Sequence, residues 1–402
     1  MRFETLPEWL HWQEKLHFTE VDPGLERVGQ VWSILNPSKR LPFTVITVAG
    51  TNGKGSSVAM LESILRAAGY QTGTYTSPHL LHYNERICVN AQPCDDDEIC
   101  QSFGRIDKAR NDVSLTYFEF ATLAAIDIFC QRKLDVVILE VGMGGRLDAV
   151  NLFDADIALI TPVSLDHTMW LGNDREKIAA EKAGIIRAKQ PVVCSEAKPA
   201  NSIINYAKSL DAPCYIAENN FHVNKRSDQW DWNNGESSWT GLPMPALFGR
   251  YQLQNAAAVL QVISILNQTK FDISSSAIKT GLQQVKLAGR FQVIDGDVER
   301  ILDVTHNHQG ACNLADLLIE RGTNGQTVAV LAMLKDKDVA AVIEPLKDVV
   351  DKWYLAGLDG NRGMSANAIS EKVKAIVGED KTISHISVEQ AYQQAMQGSE
   401  LN

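Results

Sequence analysis

The segment Gly50-Thr-Asn-Gly-Lys-Gly-Ser56 gathers glycines, one lysine and a hydroxyl into seven residues. Glycines let a backbone turn its amides inward, and a lysine among them adds positive charge, a combination suited to phosphate oxygens. Lys54 would neutralise a transferring phosphoryl group, and the Ser56 hydroxyl would lie near a magnesium ion. The strict Walker spacing is not met, because Val48 takes the outer glycine position and Gly55 separates Lys54 from Ser56. Taken alone, Gly53-Lys54 is also compatible with a plain tight turn. Glu140 closes an apolar run, where P-loop enzymes keep a magnesium-directed carboxylate, although a strand-edge carboxylate needs no such role. Asp166-His167 follows another apolar run, and a single histidine there is often just a hydrogen-bonded structural residue. Lys182 lies in a helical pattern, where a lysine is solvated by default.

These groups depend on the elements that carry them. Phe43 to Ala49 reads as a buried β-branched strand running into the glycine turn, and Val58, Leu61, Ile64, Leu65 and Ala68 recur at helical spacing behind it. Strands are expected at Val136–Leu139 and Asp156–Pro162, with helices at Tyr117–Phe129 and Asp174–Arg187. Strands apolar on both faces and alternating with helices imply an α/β fold with a mostly parallel sheet covered on both sides. Ligands in such sheets sit at the carboxyl ends of the strands, where the glycine turn, Glu140 and Asp166-His167 all fall. Around 219–245, Trp230, Trp232 and Trp239 stand among polar residues, which predicts a small hairpin insertion packing its indoles on the domain. Beyond Ala288-Gly289-Arg290 the pattern restarts, with strands at Phe291–Ile294, Ile301–Val304, Thr327–Leu331 and Trp353–Leu355. Helices follow around Gly310–Glu320, Val339–Val350 and Asn367–Val377. The expected organisation is a P-loop-type ATPase domain over 1–288 and a smaller Rossmann-like α/β domain over 289–402.

Composition narrows the function classes. The chain has 402 residues, 45% hydrophobic and 22% charged, which excludes a disordered or fibrous protein. A net charge of −11 disfavours a broad nucleic-acid or anionic-membrane surface. No apolar run approaches the ~20 residues of a membrane span, and the N-terminal residues lack the basic and apolar regions of a secretory signal. Seven cysteines without a C-x-x-C pair point to reduced thiols, a cytoplasmic setting, and neither a zinc site nor a disulfide framework.

Six segments occur in order: Val48-Ala-Gly-Thr-Asn-Gly-Lys-Gly-Ser56, Thr76-Ser-Pro-His-Leu80 with Asn84-Glu-Arg86, Leu115-Thr-Tyr-Phe-Glu119, Leu139-Glu-Val-Gly-Met-Gly-Gly-Arg-Leu-Asp148, Leu165-Asp-His-Thr168 and Glu181-Lys-Ala-Gly184. Together they resemble the dihydrofolate synthase/folylpolyglutamate synthase family of the Mur ligase superfamily, over nearly the whole chain. The resemblance implies ATP-dependent ligation of L-glutamate to dihydropteroate and to reduced folates through an acyl phosphate. It also implies that Thr51, Asn52, Gly53, Lys54, Gly55 and Ser56 bind ATP phosphates, Asn255 reads adenine, and Arg290 and Asp303 close on the nucleotide. Ser77, Glu140, His167 and Lys182 would hold the magnesium ions, of which two are implied. Lys182 would be carbamylated, turning a cation that repels metal into an oxygen ligand. Lys54, Lys182 and His306 are the implied catalytic groups, His306 beside the phosphate or the incoming amine. Asp22, Pro23, Gly24, Thr116, Tyr117, Phe118, Glu119, Leu147, Asp148 and Ala149 match positions around dihydropteroate, although Tyr117 and Phe118 begin an apolar helix and would also serve simply as packing. A monomer is expected.

Two departures qualify the resemblance. Thr305 and His308 replace the alanine and proline of the family's Asp-x-Ala-His-Asn-Pro segment, so the turn loses a fixed φ. Relatives continue past the helix at Glu389–Met396 into a further strand and helix, which the second domain is expected to lack. Three activities are therefore open: a bifunctional ligase, a polyglutamylating synthetase only, and a catalytically silent nucleotide-binding relative. A cell-wall Mur ligase would not be expected to carry the Ser77-Pro-His79 and Tyr117-Phe-Glu119 segments. A nicotinamide enzyme is disfavoured because Leu147 stands where its third glycine belongs.

Overall fold

The computed structural model describes residues 2–38, 40–360 and 362–399. Contacts divide the chain into two compact units, Met1–Leu287 and Ala288–Asn402.

The first unit is built on eight strands: β1 (Thr44–Ala49), β2 (Thr72–Tyr75), β3 (Ile87–Val89), β4 (Gln92–Pro93), β5 (Val136–Glu140), β6 (Ile157–Ile160), β7 (Val192–Cys194) and β8 (Cys214–Ile216). They lie in the order β4-β3-β2-β5-β1-β6-β7-β8. The pairs from β2 to β8 are parallel, and β3 and β4 add an antiparallel edge. Alternate residues of β1 serve opposite faces: Val45 and Ala49 join one core, Ile46 and Val48 the other. On the first face pack α1 (Leu6–Gln13), α2 (Glu26–Leu35), α4 (Asp96–Arg110), α5 (Tyr117–Gln131), α7 (Arg175–Ala183) and α8 (Asn201–Ser209). The second carries α3 (Lys54–Ala67), α9 (Arg250–Leu266) and α10 (Ser275–Gln284). A one-turn helix, α6 (Thr168–Leu171), precedes α7.

The expected tryptophan hairpin is a three-stranded antiparallel sheet, β9 (His222–Lys225), β10 (Gln229–Asn233) and β11 (Ser238–Pro243). Its indoles do pack inward: Trp230 and Trp232 are fully buried, and Trp232 Nε1 donates to Ala257 O at 3.0 Å. The helix expected through Arg187 stops at Ala183. Beyond it, the Asn151 amide and the Arg187 guanidinium both bind the Gly184 carbonyl, at 3.0 and 3.1 Å.

The second unit opens with an antiparallel pair, β12 (Gln292–Ile294) and β13 (Arg300–Leu302), and continues with three parallel strands, β14 (Val328–Leu331), β15 (Lys352–Ala356) and β16 (Thr382–His385). Trp353 and Leu355 of β15 form one core with α11 (His308–Arg321), α12 (Val339–Leu346) and α13 (Ala366–Val377). Tyr354 and Ala356 meet α14 (Val388–Ser399) on the other face. Val304 lies outside β13, and α12 ends four residues before the expected Val350, just after Pro345.

Candidate active site

The phosphate-type loop lies between β1 and α3, with Gly53 as the N-cap and Lys54 as the first helical residue. Two of its glycines have no substitute. Gly50 has φ +151, and a Cβ there would fall 1.8 Å from Thr161 Oγ1; Gly53 has φ +90, and its Cβ would fall 2.6 Å from Asn255 Oδ1. Lys54 Nζ donates to the carbonyls of Gly50 and Thr51, at 3.2 and 3.3 Å, and lies 4.0 Å from Glu140 Oε1. Glu140, buried at the end of β5, also accepts from the Ser77 amide at 3.2 Å.

The Pro162–His167 loop is tied to the same place. Thr51 N donates to Pro162 O at 2.8 Å, and Thr51 Oγ1 exchanges hydrogen bonds with Ser164 O and N at 3.0 and 3.1 Å. Asn52 Nδ2 reaches Ser164 Oγ at 3.5 Å. His167 sits at φ +51, with its amide donating to Asp166 Oδ1 at 2.8 Å. From the other side, Gln252 Nε2 donates to the buried Ser56 hydroxyl at 3.2 Å, and Asn255 donates to Gln252 at 3.1 Å beside Gly53.

Lys182 overturns the default reading of a solvated helix lysine. It is 4% exposed, and its Nζ donates to Gly50 O at 2.9 Å. Burial and then the charge of Lys54 push its pKa down to about 7, against the pull of Asp166 and Asp148. Gly145 makes the approach possible: a Cβ there would fall 2.7 Å from Glu181 O and 3.0 Å from Lys182 Cα. Thus Lys54, Ser77, Glu140 and Lys182 meet around one loop, with Asp166 close enough to act electrostatically on Lys182. The oxygen donors of Ser77 and Glu140, a hydroxyl and a carboxylate, suit a hard divalent ion. No cluster of three or more His, Cys, Asp or Glu that could hold a metal exists among the described residues.

A second set surrounds the start of α5. Thr116 and Glu119 form its capping box, with Thr116 N donating to Glu119 Oε2 at 2.8 Å and Glu119 N to Thr116 Oγ1 at 3.2 Å. Arg27 joins Glu119 Oε1 at 3.0 Å to Asp22 Oδ2 at 2.6 Å. His17 holds the same Asp22 oxygen at 3.1 Å and Ser114 Oγ at 2.9 Å. Asp22 precedes the exposed Pro23 and half-buried Gly24. Phe118 brings the tip of its ring to Gly142, where a Cβ would fall 2.6 Å from Cζ, and its ring lies 5.8 Å from that of Tyr75. Tyr117 is half-buried. Both aromatics therefore do pack. Asp148, after the half-buried Leu147 and before the buried Ala149, caps a 3-10 turn and accepts from Val150 N at 3.0 Å and Met143 N at 2.9 Å. Burial raises its pKa to about 6, opposed by the amides of Met143, Val150 and Gly142 and by Lys54.

In the second unit, Asp303 accepts from Phe291 N and Thr305 N, each at 2.8 Å, beside Gly289 and the half-buried Arg290. His306 Nδ1 is 2.9 Å from Val304 O. His308 opens α11, a position that tolerates proline without requiring it, and its ring bonds Ala341 O at 3.1 Å.

Sequence reasoning does not reach Thr161, Ser164, His17, Arg27 or Gln252 as site residues, and it singles out Asp166 only together with His167. Arg27 and Gln252 stand inside or beside segments that carry chemistry, so proximity to those motifs is the available signal. Thr161, Ser164 and His17 give none.

Two family descriptions match the chain: Mur ligase middle domain over residues 48–263, and Mur ligase, glutamate ligase domain over residues 289–401. The dihydrofolate synthase/folylpolyglutamate synthase of Escherichia coli (strain K12) is 42% identical over 391 residues, covering 97% of this chain and 89% of that protein. A solved structure of E. coli FolC in complex with DHPP and ADP superposes with a TM-score of 0.92 at 41% identity, covering 98% of this chain and 92% of the other. A bifunctional folylpolyglutamate synthase/dihydrofolate synthase with Mn, AMPPNP and L-glutamate bound gives 0.89 at 43% identity, covering 98% and 93%.

Proposed function

Because the chain belongs to the dihydrofolate synthase/folylpolyglutamate synthase family of Mur ligases, we propose that it joins L-glutamate to dihydropteroate, and further glutamates to reduced folates, at the expense of ATP. The observation that carries this reading is the convergence of Lys54, Glu140, Ser77 and Lys182 on the Gly50–Ser56 loop.

A carboxylate is a poor acyl donor, since its leaving group would be oxide. Attack of a carboxylate oxygen on the γ-phosphorus of ATP releases ADP and forms an acyl phosphate. The α-amine of glutamate then adds to the carbonyl carbon, loses a proton, and phosphate departs as the amide forms. Lys54 and the loop amides offset charge on the transferring phosphoryl group, an electrostatic task. Ser77, Glu140 and His167 would hold magnesium, which when bound adds further positive charge at the phosphates. The buried Asn255 is assigned to the nucleotide base, Arg290 and Asp303 to the nucleotide, and His306 to the phosphate or the amine. Asp22 to Gly24, Thr116 to Glu119 and Leu147 to Ala149 are assigned to the pterin.

Lys182 is assigned as a carbamate. With its pKa near 7, a large share of the amine is neutral at neutral pH and able to attack CO₂, giving a carbamate and a proton. Its place at Gly50 O then puts an anionic oxygen ligand beside the phosphate loop. Consumption of ATP agrees with a cytoplasmic enzyme. Among the described residues no helix is long and apolar enough to cross a membrane.

The test is an incubation with ATP, L-glutamate and either dihydropteroate or tetrahydrofolate. Glutamylated product and ADP from both acceptors are expected. Extension of tetrahydrofolate alone would reduce the enzyme to polyglutamylation, and ATP binding without glutamate-dependent ADP release would remove the ligase assignment.

A further inference from the structure

Arg86 carries a buried charge with no counter-ion. The residue is 9% exposed and ends the 3-10 turn Tyr83–Arg86. Its Nε donates to His79 Nδ1 at 2.8 Å, and its Cζ lies 5.6 and 5.7 Å from the ring centres of Tyr83 and Tyr117. Among the described residues no carboxylate pairs with it, and its two terminal nitrogens make no hydrogen bond within the protein and stay open to solvent, where a ligand oxygen could reach them. The guanidinium therefore spends one donor of five on a histidine whose own pKa is lowered by burial and by Arg86 itself. Nearby, the buried Tyr83 hydroxyl also has no hydrogen-bond partner.

Stacking on phenol faces offsets part of the cost of burying a cation, but it satisfies none of the remaining N–H groups. A planar fork of free donors is matched to a carboxylate. The enclosure is aromatic: the Tyr83 and Tyr117 rings meet edge to face at 5.9 Å, and Phe118, next in sequence, covers Gly142 just beyond Glu140. Arg86 also belongs to the same loop as Ser77, whose amide binds Glu140.

We propose that Arg86 receives the benzoate carboxylate of the pteroate substrate, holding the group that is to be activated. This rests on the ligase reading above. An aryl carboxylate suits a cation collared by tyrosines better than the aliphatic carboxylates of glutamate do.

The experiment measures equilibrium binding of 7,8-dihydropteroate and of its counterpart lacking the carboxylate, to full-length wild type, Arg86→Met and Arg86→Lys, with ATP affinity as the check on folding. Wild type is expected to prefer the carboxylate ligand by about tenfold or more. Arg86→Met brings that ratio close to one, and Arg86→Lys falls between. An unchanged preference in either folded variant overturns the proposal. Wild type binding neither pteridine would instead overturn the ligase reading itself.

Discussion

Lys182 Nζ donates to the carbonyl oxygen of Gly50 at 2.9 Å, joining the last turn of α7 to the first residue of the phosphate loop across 132 positions of sequence. A buried lysine would ordinarily pair with a carboxylate. This one binds a neutral carbonyl while Lys54 donates to the same oxygen at 3.2 Å. Burial first, and then the repulsion between two ammonium groups around one acceptor, favour the neutral, CO₂-reactive form of Lys182.

The carbamate proposed at Lys182 would make turnover depend on CO₂. Wild type stripped of CO₂ at mildly acidic pH should lose glutamate ligation and regain it on addition of bicarbonate. Lys182→Ala should be at least ~100-fold slower and indifferent to bicarbonate, with ATP affinity within a few-fold. The measurement is initial-rate ADP release with and without bicarbonate.

Replacing Gly50 with alanine sets a Cβ 1.8 Å from Thr161 Oγ1 at φ +151. The expected outcome is a stability loss of about 1–3 kcal/mol and loss of ATP binding. Thermal unfolding with and without nucleotide reads both. Gly69, at φ +90 with nothing within 4 Å of its Cβ, should lose less stability as alanine and keep ATP binding.

Asp148 supplies a pH signature. Its folded-state pKa, about 6, lies above the ordinary 3.8, so the folded protein binds this proton more tightly than the unfolded chain does. The corresponding stabilisation is complete below about pH 4 and is lost as pH rises through about 6. The melting temperature of wild type minus that of Asp148→Asn should therefore fall between pH 4.5 and pH 7.5. A difference that stays flat or rises would show that Asp148 is not held protonated in this way.

Arg27 joins Asp22 to Glu119, linking the entry to α2 with the cap of α5. Arg27→Met should raise the KM for dihydropteroate by about tenfold and leave that for ATP near its original value. Steady-state kinetics varying each substrate in turn make the comparison.

Much of the first unit is readable from sequence because its periodicity is strong. The apolar β1 and β5 runs lead directly into glycine turns, so the ligand-bearing ends of the strands are visible. The burial of Lys182 is not, since it depends on Gly145 letting the 142–148 loop lie against α7, a contact between distant segments. The Asp22–Arg27–Glu119 link is hidden for the same reason: Arg27 and Glu119 are 92 residues apart. Trp230 and Trp232 announce an insertion, but its third strand, His222–Lys225, alternates too weakly to read as one. In the second unit α12 ends just after Pro345, a helix breaker visible in the sequence, whereas β13 ends at Leu302 where its pairing with Gln292 ends, a contact that propensity does not announce.

Formation of an acyl phosphate requires a carboxylate oxygen to pass to phosphate. Dihydropteroate labelled with ¹⁸O in its carboxylate, turned over with ATP and L-glutamate, should yield inorganic phosphate carrying one labelled oxygen per molecule. Unlabelled phosphate released alongside glutamylated product would contradict the acyl-phosphate route, and with it the roles of Lys54, Glu140 and Lys182 in phosphoryl transfer.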